Sequence, residues 1–251
     1  MFGFIVNIFD IVLYQPLFNA LVFLYDYLPG RDFGIAIIVL TLVIRFLLYP
    51  TSIKAVKSQK AVQQLQPKIQ EIQKKYKDDK EKQSKEVLEL YKKEKINPFS
   101  GLFLALIQLP ILIALYSVFW KGLKPEELSR LYEFVASPGQ INALFLGAID
   151  LSKPNLIFAI LAGIMQFFQT KMLSPQNKAM GPKGYPGQKP GGDFSQVMQK
   201  QMLYFFPVLT VIILLSLPSA LGLYWTISGL FSIIQQYFIL RKKPEISPER
   251  K

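Results

Sequence analysis

The chain has 251 residues, 51% hydrophobic and 14% aromatic, with mean hydropathy +0.28 and formal net charge +12. It holds no cysteine and no histidine. Disulfides, thiolate nucleophiles, His/Cys zinc sites and an unperturbed general base near neutrality are therefore excluded, and no cofactor or metal is expected.

The apolar residues gather in runs near 33–49, 99–120, 156–173 and 203–240. Each is long enough, or nearly so, to cross a hydrocarbon layer about 30 Å thick. The expected class is an all-α integral membrane protein, so the basic excess is read as loop charge that orients the chain rather than as a nucleic-acid site. Residues 51–97 hold thirteen lysines against seven acids, whereas residues 121–155 balance four basic residues with four acidic ones. Residues 1–32 carry Arg31 against Asp10, Asp26 and Asp32. The N-terminus is accordingly expected outside and the C-terminus in the cytosol, which requires an odd number of spans.

Residues 1–32 mix apolar side chains with Asn7, Asp10, Gln15, Asn19 and Asp26. That pattern suits an amphipathic helix in the outer interface, with an extra span as the alternative. A cleaved signal is not expected, because a basic n-region and a small-residue cleavage site are missing. Residues 33–50, FGIAIIVLTLVIRFLLYP, form the first span, and Arg45 is the only charge between Asp32 and Lys54.

Residues 51–97 read as a cytosolic helical hairpin, with a solvated charged linker as the alternative. Leu65, Ile69, Ile72 and Tyr76 make a narrow seam on its first arm, and Val87, Leu88, Leu90 and Tyr91 face it from the second. Pro67 kinks or starts the first arm, and Asp78 with Glu81 could form a capping box. Asn97 and Pro98 fit a cap followed by the first helical position, opening a second span over 98–120. Residues 121–154 are the extracytoplasmic segment, amphipathic near 123–135 and broken at Ser137, Pro138 and Gly139. Pro154 opens the third span, 155–173. The Gly/Pro/Lys stretch in 174–200 reads as a flexible cytosolic loop. Residues 201–217 and 218–240 are the last two spans, short enough to call for a thinned bilayer or little tilt. A basic tail, 241–251, follows.

Polar residues recur on faces of these spans. Thr41, Arg45 and Tyr49 are spaced by four in the first, and Gln108 and Tyr116 by eight in the second. Gln166 and Gln169 lie in the third; Tyr224, Trp225 and Ser228 lie in the fifth, where Ser232 and Gln235 continue the stripe. Polar side chains in lipid are costly unless they meet one another or water. These stripes can surround a groove with Arg45 as its buried charge. Alternatively, Arg45 snorkels to nearby headgroups and the other residues are inter-helix glue or interfacial aromatics. A Ser-Lys dyad from Lys171 and Ser174 lacks a desolvated lysine, so no enzyme is expected. The spans contain no carboxylate for an ion relay. A single charge near one end favours a half-depth cavity over an anion channel.

The strings TLVIRFLLYP and LQPKIQEIQKKYKDDKEKQSKEVLELYKKEKINPFSGLFLALIQLPILIALY closely resemble the YidC family of membrane protein insertases. YQPLFNAL, FFQTKMLSP, FFPV, LPSALGLYW and IIQQ extend the resemblance over most of residues 14–241. It implies five core spans, an outer amphipathic helix, a cytosolic hairpin and a groove open to cytosol and lipid but closed outside. It places the groove arginine on Arg45, its threonine on Thr41, its tyrosine before proline on Tyr49, its glutamine on Gln108, and its aromatic pair on Tyr224 and Trp225. The implied partners are nascent membrane proteins and lipid, with the ribosome, signal recognition particle machinery and Sec translocon as further candidates. The implied location is the bacterial inner membrane. The brief tail, the lack of a lipobox cysteine and the lack of a large periplasmic domain resemble the family's short form. A non-catalytic chaperone or assembly factor working with Sec is the alternative function.

Overall fold

The structure, a computed structural model, describes residues 2–97, 99–173 and 194–241. It opens with α1 (Phe2–Phe9), a π-helical turn at Asp10–Tyr14 and α2 (Gln15–Tyr27), one after another without a break. Pro16 lacks an N–H and would clash with the carbonyl four residues back, and the wider π turn just before it absorbs that conflict. Val6–Tyr27 is long and apolar enough to cross a membrane. Several of its polar residues have protein partners. Tyr14 donates to Glu127 at 2.7 Å, and Asn19 accepts from the Tyr132 N–H at 2.6 Å.

Helix α3 (Phe33–Leu47) starts on Asp32, whose carboxylate accepts from the Ile35 N–H at 2.9 Å. It ends three residues before the expected Pro50. At Leu48 the chain bends by 65° into α4 (Tyr49–Gln64), with Pro50 in its first turn. Proline is favoured there because the missing N–H has no intrahelical partner to lose. α4 buries Ser52, Ala55 and Val56 and packs against the later helices over Ser100–Lys121 and Ser219–Arg241. The expected 51–97 hairpin is therefore narrower: α5 (Gln66–Lys75) and α6 (Lys80–Lys93). Pro67 starts α5. The cap of α6 is Asp79, which accepts from the Lys82 N–H at 2.9 Å, not the expected Asp78. Leu65 and Ile69 of the seam are buried, while Leu88 is exposed.

Helix α7 (Ser100–Lys121) starts later than expected. Asn97 makes a local turn, accepting from the Phe99 N–H at 2.9 Å, and Pro98 lies outside the described residues. The expected amphipathic stretch at 123–135 forms only a 3-10 turn, Pro125–Arg130, followed by a two-residue strand pair, Leu144–Phe145 with Ile149–Asp150. α8 (Leu156–Met172) is capped by Asn155, one residue after Pro154. Residues 174–193 are outside the described set, and the rest of the expected loop is helical: α9 runs Phe194–Leu214. α10 (Ser219–Arg241) follows, and the tail from residue 242 is not described. α9 is about 32 Å long and α10 about 34 Å.

Helices α3, α7, α8, α9 and α10 form the bundle, with α10 packed on α8, α3, α4 and α7. Gly222 and Gly229 permit the close α8–α10 approach, since a Cβ on either would fall within 3 Å of Phe158 or Met165. The hydrophobic core sits at the end capped by residues 122–155. Phe18, Phe33, Val118, Phe119, Leu151 and Leu221 are essentially inaccessible there.

Candidate functional site

Four of the sequence-selected residues meet inside the bundle. Arg45, on the last turn of α3, donates from Nε to Ser228 Oγ of α10 at 2.7 Å, and its Nη2 donates to the same oxygen. One turn earlier on α10, the Tyr224 hydroxyl accepts from Gln108 Nε2 of α7. The four-residue step from 224 to 228 puts both side chains on one face of α10. Tyr224 and Ser228 are buried, while Arg45 and Gln108 are half-buried.

Arg45 stands about 18 Å along α3 from its start, and Ser228 about 14 Å along α10. The five ion pairs among the described residues all lie elsewhere: Arg31–Asp26, Lys68–Glu94, Arg130 with Asp10 and Glu127, and Lys153–Asp150. Arg45 thus has a hydroxyl partner, Ser228, and no carboxylate among the described residues. Among the described residues no group of three His, Cys, Asp or Glu side chains could hold a metal ion.

The other selected residues sit apart from this set. Thr41 is buried, and its hydroxyl donates back to the Ile37 carbonyl at 2.6 Å, so its polarity is spent within α3. Tyr49 shares no face with Arg45, because the bend at Leu48 breaks the four-residue spacing. It is 37% exposed and meets Phe231 edge-on, at 6.3 Å between ring centroids. Tyr116 is equally exposed and stacks on Trp120. Gln166 accepts from Thr210 at 2.7 Å, tying α8 to α9, and Gln169 and Trp225 are half-buried.

The structure also adds residues. Gln235 donates to Ser52 at 2.5 Å, with both buried, and Ser52 donates to the Tyr49 carbonyl. Gln235 belonged to the recognised α10 stripe. Ser52 and Thr210 carried no sequence signal beyond being polar. Lys60 donates to the Leu240 carbonyl at 3.0 Å, where a cation is favoured by the helix C-terminus. Gln236 is buried with its Oε1 lacking a partner.

Large apolar side chains project outward from every bundle helix, among them Phe46, Ile113, Ile160, Ile212 and Phe238. A belt of this kind is stable only under a lipid or protein cover. An all-helical bundle with an apolar belt and a polar centre defines an integral membrane protein.

Residues 23–246 match the family model described as 60Kd inner membrane protein. A membrane protein insertase YidC of Fusobacterium nucleatum is 34% identical over 84% of this chain and 87% of its own length. The YidC insertases of Rickettsia akari and Geobacter sulfurreducens are 31% and 32% identical over 91% and 92% of this chain. The chain spans only 38% and 37% of those two relatives. It belongs to the YidC family of membrane protein insertases.

Proposed function

We propose that this chain is a membrane protein insertase working through a polar groove open to cytosol and lipid and closed outside. Arg45 carries the reading: a half-buried guanidinium on the last turn of α3, held by Ser228, with no carboxylate partner among the described residues. A hydrophilic segment of a nascent protein entering beside it crosses a shorter dry path. Acidic residues in that segment gain a charge-assisted contact with Arg45, strengthened where water is scarce. The segment's apolar part slides along the exposed flank and partitions into lipid. That burial stabilises by about 25 cal/mol per Å² and drives the step without ATP. The last two spans share an uncharged stretch of 38 residues, 203–240, which favours a locally thin bilayer.

In this reading the hairpin end faces the cytosol, with the N-terminus outside and the C-terminus inside. The lysine-rich α5–α6 pair receives the nascent chain, the ribosome, the signal recognition particle machinery or the Sec translocon. The test is reconstitution of this protein alone in liposomes with a short-tailed single-span substrate. Arg45→Ala should lose insertion of acidic tails, and Arg45→Lys should largely restore it. Full insertion by the Ala variant would favour a scaffold acting with Sec. A photo-crosslinker at Gln108 or Tyr224 should capture the substrate in transit; none captured would sink the groove.

A further inference from the structure

The contact between Arg45 and Ser228 has a defined geometry. Nε and Nη2 form one of the two edges on which a guanidinium can grip a carboxylate with two hydrogen bonds. In this structure both donors of that edge converge on a single oxygen, Ser228 Oγ. A serine hydroxyl has two lone pairs and one proton, so accepting twice from Arg45 leaves only its proton to give. Tyr224, one turn earlier on α10, is held by Gln108. Arg45 donating to Ser228 and Gln108 donating to Tyr224 thus join α3 and α7 to α10. Ser228 and Tyr224 are buried, so water does not compete freely for these bonds.

We propose that Ser228 is a positioning residue that reserves the Nη1–Nη2 end of Arg45 for the carboxylate of an acidic translocating segment. Three of the five guanidinium N–H donors remain, and two of them, one on each Nη, form that end-on fork. One carboxylate at a time docks there, because the other edge is occupied by Ser228. Without the Ser228 oxygen the guanidinium loses its anchor, turns about its side-chain torsions and presents no fixed fork. The inference rests on the insertase reading above.

The experiment measures insertion into liposomes holding the purified protein, using paired single-span substrates whose translocated tails differ only in one acidic residue. The quantity read is the ratio of acidic-tail to neutral-tail insertion, which cancels any general loss of folded protein. Ser228→Ala should lower that ratio about tenfold, the effect of losing a hydrogen bond to a charged group. Ser228→Thr, which keeps a hydroxyl, should restore it. An unchanged ratio in Ser228→Ala, alongside a collapsed ratio in Arg45→Ala, overturns the positioning role and leaves the insertase reading standing. An unchanged ratio in Arg45→Ala overturns both.

Discussion

The two ends of the bundle solve opposite problems with the same helices. At the capped end, Phe18, Phe33, Phe119 and Leu151 fill the interior, and nearby charges are paired: Arg130 with Asp10 and Glu127, Lys153 with Asp150, Arg31 with Asp26. Toward the hairpin end the interior turns polar, through Arg45–Ser228, Gln108–Tyr224 and Ser52–Gln235, and Lys68–Glu94 is the one ion pair among the described residues there. One end is filled by apolar burial, the other held together by directional hydrogen bonds.

That contrast can be broken from either end. The largest effect is expected from Phe119→Ala, which removes a fully buried ring in edge contact with Phe33, 6.4 Å between centroids. The loss should be about 3–5 kcal/mol, read as a lowered thermal midpoint in detergent. A near-neutral result would mean that the capped end is not a packed plug. Next is Gln235→Leu, which leaves the buried Ser52 hydroxyl short of a partner and should cost about 1–3 kcal/mol. Adding Ser52→Ala should recover most of it, because replacing both partners with apolar groups removes the unmet bond; equal instability of the double variant would argue against the pair.

A smaller loss, about 1 kcal/mol, is expected from Asp32→Ala, which removes the α3 cap and an acceptor for the Leu146 N–H. Hydrogen exchange at the first turn of α3 should rise. The smallest effect concerns pH. The hydrogen bond from Lys68, and then its charge, hold the exposed Glu94 carboxyl below the ordinary glutamate value. The contribution is present above the usual glutamate range and is lost as pH falls through the lowered value. Exchange protection at the base of the hairpin should therefore drop only under acid, and no change there would mean that the pair does not tie α5 to the end of α6.

Much of the fold was legible in the sequence. Bundle helices occupy the expected stretches, and Pro67, Asn155 and Ser219 lie at helix starts where local chemistry places them. The rest depended on distant partners. Tyr14 and Asn19 are bound by the 3-10 turn and its sequel more than one hundred residues later, which no local pattern announces. Tyr49 looked like a neighbour of Arg45 because helical spacing assumes a straight helix, and the 65° bend removed that premise.

By itself, the sequence determined a helical membrane protein with one arginine in its first long apolar run and a lysine-rich stretch after it. Hydropathy and charge are transfer energies that each residue carries whatever its neighbours do. Tertiary structure decided which polar groups meet. Arg45 and Ser228 are 183 positions apart, as are Ser52 and Gln235, and hydrogen bonding depends on ångström-scale distance and direction. Only the packing of α10 against α3, α4 and α7 brings those atoms together.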